Sequence, residues 1–184
     1  LSIDGDTSTN DMVALMANGL AQNEEIKSGS VEFVLFKSAL YEVMMHLTRM
    51  LAKDGEGASK LIECVCKGAP SQDDAITVAK SVIGSTLFKC AIFGEVANWG
   101  RILCAVGYAD AEFDISKVDV DLKSEYGEIR SGAGVEFSEE KAAEILKSDE
   151  IFVLINLHAG EAKATAWGCD LTYDYVKING DYRT

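Results

Sequence analysis

Two short polar loops carry the side chains of this sequence that are best suited to chemistry. The first, residues 4–11, consists of one glycine and seven residues with carboxylate, hydroxyl or amide groups, and it lies between two apolar segments. Such groups bond their own backbone and can hold a rigid loop beside a ligand. The composition therefore predicts a loop that supports a binding site.

The second loop places Glu56 between two glycines, Gly55 and Gly57. Glycine on both sides lets the backbone turn sharply and approach a ligand closely. One interpretation is that the glycines end a helix and the glutamate is an incidental solvated side chain. The other is that the carboxylate is presented to a substrate ammonium or to a proton-transfer step. The residue types alone leave both interpretations open.

The spacing of apolar residues predicts the elements that hold these loops. Apolar residues recur three and four positions apart over residues 12–20 and, most strongly, over residues 31–53, where one face is expected to be buried. Further helices are predicted over residues 73–83, 99–108 and 138–147. Strands are predicted over residues 61–66, 87–93, 118–122, 128–135 and 151–157, with one bent strand or two over residues 162–178.

This mixture predicts an α+β fold, an α/β sandwich of layers whose C-terminal half is rich in strands. No stretch rich in proline and serine divides the chain, and only a weak seam falls at residues 109–112.

Charge and cysteine content narrow the classes of function. The formal net charge of −13 argues against a nucleic-acid partner and against anionic membrane surfaces, both of which attract clustered lysine and arginine. No apolar run approaches the ~20 residues that span a bilayer. The five cysteines are odd in number and form no C-x-x-C pair, so they are interpreted as reduced core thiols of a cytoplasmic protein. No metal site is predicted, because neither histidine lies at ligand spacing from a cysteine pair.

Five strings of residues, taken in order, resemble one enzyme family. They are Asp-Gly-Asp-Thr-Ser-Thr-Asn-Asp at 4–11, Asp-Gly-Glu-Gly-Ala-Ser-Lys at 54–60, Ala-Asn-Trp-Gly-Arg at 97–101, Ala-Trp-Gly-Cys-Asp-Leu-Thr-Tyr-Asp-Tyr-Val at 166–176 and Asn-Gly-Asp-Tyr-Arg-Thr at 179–184. Together they resemble the bifunctional ornithine acetyltransferase / N-acetylglutamate synthase of arginine biosynthesis. The resemblance runs from the first residues of the chain to the last.

The resemblance implies a split enzyme. In that family a precursor cuts itself before a threonine, which becomes the nucleophile at the start of the second (beta) chain. This sequence resembles the C-terminal part of that second chain, so the nucleophilic threonine is expected upstream of Leu1 and no catalytic residue is expected within the 184 residues. Residues 1–110 would belong to the nucleophile-bearing layer, and residues 111–184 would form a smaller region whose tail returns to the active site.

The resemblance also implies the reaction and the residue roles. The threonine would take acetyl from N-acetylornithine and pass it to glutamate by a ping-pong mechanism, with an oxyanion hole from the first (alpha) chain. The substrate-binding residues would be Glu56, Asn179 and Thr184. The supporting shell around them would be Asp6, Thr9, Asn10 and Asp11.

The implied assembly is a heterotetramer of two alpha and two beta chains, without a bound cofactor and with acetyl-CoA as an optional acetyl donor. It would be cytoplasmic, or organellar in a eukaryote, and the isolated chain would be inactive. Two other readings remain open. One is a related N-terminal-nucleophile aminopeptidase or amidase, and the other is a non-catalytic assembly subunit.

Overall fold

The computed structural model describes residues 1–131 and 138–182. Within them lie six α-helices and five strands. In chain order these are α1 (Val31–Lys53), β1 (Leu61–Ala69), α2 (Gln72–Ile83), α3 (Thr86–Phe93), α4 (Trp99–Gly107), β2 (Asp119–Ser124), β3 (Gly127–Ser131), α5 (Glu139–Leu146), β4 (Glu150–Asn156), β5 (Ala162–Cys169) and α6 (Tyr173–Asp181). The mixed α/β class is confirmed, and four of these strands follow residue 118, as the strand-rich second half predicts.

The strands form one mixed sheet in the order β3-β2-β4-β1-β5. β1 runs parallel to β4, and the other neighbouring strands are antiparallel. Leu61, at the start of β1, pairs with Cys169, at the end of β5. The loop that enters β1 therefore meets the segment that leaves β5 at one edge of the sheet.

Alternating burial in β1 explains how the sheet is covered on one face. Ile62, Cys64 and Cys66 are fully buried in the core, and α2 packs over β1 and β5 with Val78 and Val82 equally buried. The period of two places every second side chain of the strand on that face.

Helix α1 has the predicted bounds but not the predicted burial. Ser30 caps it by accepting a hydrogen bond from the Phe33 N–H at 3.1 Å. Only Ala52 of this 23-residue helix is buried, and Phe36 on the expected inner face is 53% exposed. Its C-terminal part is held to the sheet by Arg49, which donates to Glu63 and, at 2.9 Å, to Glu150.

Three local predictions are wrong. Residues 12–20 contain no helix: the segment is short, and its large apolar side chains are 70–95% exposed, so they make little contact with the described part of the chain. Residues 87–93 lie in α3 rather than in a strand, since Ser85 caps a helical turn there by accepting from the Phe88 N–H. Residues 162–178 divide into β5 and α6 instead of forming strands throughout. Residues 132–135 of the predicted hairpin lie outside the described residues.

The cysteines only partly follow the core interpretation. All five are free thiols. Cys64, Cys66 and Cys169 are buried, whereas Cys90 and Cys104 are exposed. Burial raises the pKa of the Cys66 thiol to about 11.

Among the described helices no single one is long and apolar enough to cross a membrane. The bent pair α2 and α3 meets that test only when the two helices are taken together.

Candidate functional site

Glu56 lies at the tip of a tight turn between α1 and β1. The Ala58 N–H donates to the Gly55 carbonyl at 2.9 Å, and Gly57 has a φ of +66°. This bond, together with a left-handed third residue, is the signature of a type II turn, which places Glu56 at its second position. The glutamate side chain is exposed.

Both glycines are required by close contacts, Gly55 with the end of β5 and Gly57 with the start of α6. A Cβ at Gly55 would lie 2.7 Å from Cys169 Sγ, and a Cβ at Gly57 would lie 2.6 Å from the Tyr175 backbone nitrogen. The Glu56 turn is thus closely approached by the protein's own chain, by β5 on one side and by α6 on the other.

Asp170 fixes the path of the chain between the turn and β1. Its carboxylate is 3% exposed, and it accepts hydrogen bonds from the Ser59 N–H at 2.8 Å, the Lys60 N–H at 3.0 Å and the Ser59 hydroxyl. A buried carboxylate surrounded by donors in this way holds a loop firmly. The Lys60 ammonium is also buried, and it donates to the Leu146 carbonyl at 2.7 Å and pairs with Glu95 at 3.2 Å.

Helix α6 brings Asn179 to Glu56. The Asn179 Nδ2 group donates to Glu56 Oε2 at 2.8 Å and to the Tyr175 carbonyl at 3.0 Å. Two residues that are 123 positions apart in the chain are therefore in direct contact. Thr184, the third predicted substrate-binding residue, lies outside the described residues.

The opening loop forms a pocket beside this pair. The pocket has a volume of 680 Å³, and its lining includes residues 1–8 and 54–56. From the predicted supporting shell, Asp6 and Asp11 line it. Thr9 and Asn10 are exposed at the turn between Ser8 and Asp11, and they are not part of the lining that the structure describes.

The pocket is strongly acidic. Its lining includes the five carboxylates of Asp4, Asp6, Asp11, Asp54 and Glu56, together with Lys80. Such a field favours a cationic group such as the ammonium of an amino acid. Among the described residues, no group of three or more histidine, cysteine, aspartate or glutamate side chains is arranged to hold a metal ion.

Asp4 connects the opening loop to α6. It accepts from the Asp6 N–H at 2.9 Å and from the Tyr175 hydroxyl at 2.8 Å, and these two bonds lower the pKa of its carboxyl. The same contact raises the pKa of Tyr175 to about 12, because the phenol proton is shared with a carboxylate. The buried Lys89 ammonium donates to the Ile3 carbonyl and holds the other end of the loop.

Sequence reasoning missed the residues that hold the site together. The predicted extended segment over residues 162–178 includes Asp170, Thr172 and Tyr175, and it predicts no contact between them and the Glu56 turn. Thr172 followed by Asp174 fits the start signal of a helix and could have revealed α6. No local signal identifies Asp170, because its partners are about 110 positions away along the chain.

Comparison with known proteins gives one consistent result. The model of the ArgJ family matches residues 1–184. The arginine biosynthesis bifunctional protein ArgJ of Caldanaerobacter subterraneus subsp. tengcongensis is 54% identical over 187 residues, and that of Symbiobacterium thermophilum is 54% identical over 184 residues. Each match covers the whole of this chain but 46% of the relative.

A solved structure agrees with these relatives. The crystal structure of the arginine biosynthesis bifunctional protein ArgJ from Bacillus halodurans superimposes with a TM-score of 0.90 at 45% sequence identity. The match covers 98% of this chain and 85% of the solved chain.

Proposed function

Since this chain belongs to the ArgJ family, we propose that it forms part of an enzyme of arginine biosynthesis that transfers the acetyl group of N-acetylornithine to glutamate. The observation that carries the proposal is the hydrogen bond from Asn179 to Glu56 at the edge of an acidic pocket. These are the two described residues to which the family resemblance assigns substrate contact.

Glu56 is suited to bind the side-chain ammonium of N-acetylornithine. Its carboxylate is exposed, and the bond from Asn179 uses only one of its roughly four lone-pair sites. A cation that binds to such a carboxylate forms charge-assisted hydrogen bonds, which are stronger than those between neutral groups. Glu56 would therefore hold the substrate by the end that does not react.

The reaction we propose is a double displacement. A threonine hydroxyl attacks the acetyl carbonyl of N-acetylornithine, and ornithine leaves with the proton on its α-nitrogen. The α-amine of glutamate then attacks the acyl-threonine ester, which releases N-acetylglutamate and restores the hydroxyl. We assign the threonine, and the donors that stabilise each oxyanion, to the part of the relatives that this chain does not span.

Chain lengths support a two-chain enzyme. This chain spans 46% of the relatives but covers 85% of the solved Bacillus halodurans chain, so that solved chain is roughly half as long as the relatives. We therefore propose a partner chain from the same precursor, in a cytoplasmic assembly of two alpha and two beta chains.

The word bifunctional in the relatives' names is the reason to test acetyl-CoA as a second acetyl donor.

The test is Glu56→Gln in the complete enzyme, which keeps the shape of the side chain but removes its charge. We expect KM for N-acetylornithine to rise about tenfold or more, as the loss of one charge-assisted bond implies. The control is Glu112→Gln, which neutralises an exposed glutamate that is not part of the pocket lining. Wild-type kinetics for Glu56→Gln would remove Glu56 from the site.

The same assay separates the rival activity. Formation of N-acetylglutamate supports the transferase, whereas release of free acetate without it would indicate an amidase.

The isolated 184-residue chain is expected to show no transfer, because we assign the nucleophile to residues outside it. Measurable turnover by the pure chain would overturn that assignment.

A further inference from the structure

We propose that Thr172 is a positioning residue, whose hydroxyl sets the distance between Glu56 and Asn179 by joining the turn that carries one to the helix that carries the other. This inference rests on the proposed function of Glu56, and it adds a residue to which the family resemblance assigns no role.

The Thr172 hydroxyl makes contacts in both directions. It accepts hydrogen bonds from the Asp174 N–H at 3.1 Å and the Tyr175 N–H at 3.3 Å, and so it caps α6. It donates its own hydrogen to the Gly57 carbonyl at 2.6 Å. A hydroxyl offers one donor and two acceptor lone pairs, so these three contacts use its whole capacity. The residue is buried, with 7% of its surface exposed.

The two contacts connect the two members of the substrate-binding pair. Gly57 directly follows Glu56 in the turn. Asn179 lies seven residues after Thr172, which is about two turns of α6, so both lie on the same side of the helix. Because a helix is rigid over this length, the position of its cap on the turn determines where Asn179 meets Glu56.

A capping role alone would not require the bond to Gly57. Ser138 caps α5 in the same way, by accepting from the Lys141 N–H at 3.2 Å. Ser71 caps α2, but its hydroxyl donates to Asp74 of the same helix. Thr172 differs because its donor reaches the backbone of another element, 115 residues away in sequence.

Three substitutions in the complete enzyme separate the two contacts. Thr172→Ser keeps the hydroxyl and should retain KM within about twofold of wild type. Thr172→Val removes both the cap and the donor. Thr172→Asp keeps a good cap but, when ionised, has no hydrogen to give to the Gly57 carbonyl.

We expect Thr172→Asp and Thr172→Val to raise KM for N-acetylornithine about fivefold or more, with a smaller change in kcat. The reason is that a displaced Glu56 weakens binding at the end of the substrate away from the reacting carbonyl. Ser138→Ala, which removes the cap of a helix that is not part of the pocket lining, should leave KM unchanged. Wild-type KM for Thr172→Asp would overturn the proposal, and this variant does not depend on the helix surviving without a cap.

A double-mutant cycle shows whether Thr172 acts through Glu56. In the Glu56→Gln background, Thr172→Asp should change KM by less than about twofold, because the group that it positions has already lost its charge. If the effects of Thr172→Asp and Glu56→Gln on KM were additive, Thr172 would have a general structural role and the inference would be overturned. The proposed function would still stand if Glu56→Gln alone raised KM. If Glu56→Gln alone had no effect, the proposed function would fail first.

Discussion

At the scale of single residues, the hydrogen bond between Tyr175 and Asp4 can be tested by titrating the phenol of Tyr175. The pKa of Tyr175 is raised to about 12 by this bond, against about 10 for an unperturbed tyrosine. A raised pKa in the folded state means that the stabilising contact is complete below pH ~10 and is lost as the pH rises towards 12. Ultraviolet absorbance should therefore show one phenol that ionises late.

Substitutions assign that late ionisation. Tyr175→Phe should abolish it, and Asp4→Asn should move it to lower pH, because the carboxylate that accepts the phenol's hydrogen bond and raises its pKa is gone. Asp114→Asn serves as the control, since Asp114 bonds Ser116 within its own loop instead of a tyrosine. A late step that persists in Tyr175→Phe would contradict the assignment.

The sequence predicted two residues of the candidate site but not the contacts that hold them together. Glu56 and Asn179 were named through the family resemblance, and the structure places them in contact. Asp170 and Thr172 were not named, because each acts on a backbone group more than a hundred residues away. Pairings of that range depend on the sheet register, which no local pattern encodes.

At the scale of secondary structure elements, the Glu56 turn and α6 should depend on Gly57. Gly57→Ala would place a Cβ 2.6 Å from the Tyr175 nitrogen in a left-handed conformation, so we expect stability to fall by about 2 kcal/mol or more. The matched control is Gly180→Ala, because Gly180 lies in α6 with no atom within 4 Å of the added methyl group. It should raise stability by up to about 1 kcal/mol.

Thermal denaturation of the complete enzyme measures both changes. The midpoint should fall clearly for Gly57→Ala and should not fall for Gly180→Ala. Equal midpoints for the two variants would contradict the close contact between α6 and the Glu56 turn.

The length of the periodic pattern explains which elements could be predicted. The predicted bounds of α1 agree with the structure because its apolar spacing continues over 23 residues. The sequence predicts a strand over residues 87–93 because a short apolar segment has no decisive period, whereas Ser85 caps a helix there. The segment 12–20 has helical spacing but only nine residues, and a helix that short needs packing contacts that its exposed apolar side chains do not make.

At the scale of the whole molecule, the sheet order explains why the site has its form. β1 and β5 pair antiparallel, so the end of one lies beside the start of the other, and the loops that carry Glu56 and Asp170 meet there. The mixed α/β class could be predicted from the sequence, whereas the order β3-β2-β4-β1-β5 could not. The boundary predicted near residue 110 stays a prediction. The sheet includes β1, which precedes that position, and four strands that follow it.

The exposed apolar face of α1 provides the last prediction. Helices with few buried contacts open easily, and the N-terminal half of α1 has no buried residue. Because this chain spans 46% of the length of its relatives, we expect the rest of the protein to cover the exposed apolar face of α1. Hydrogen–deuterium exchange should therefore be fast over residues 31–44 in the isolated chain and slow in the complete enzyme. The C-terminal turns, held by Arg49 to Glu63 and Glu150, should be protected in both and serve as the internal control. Equal exchange over residues 31–44 in the two forms would show that this face stays uncovered.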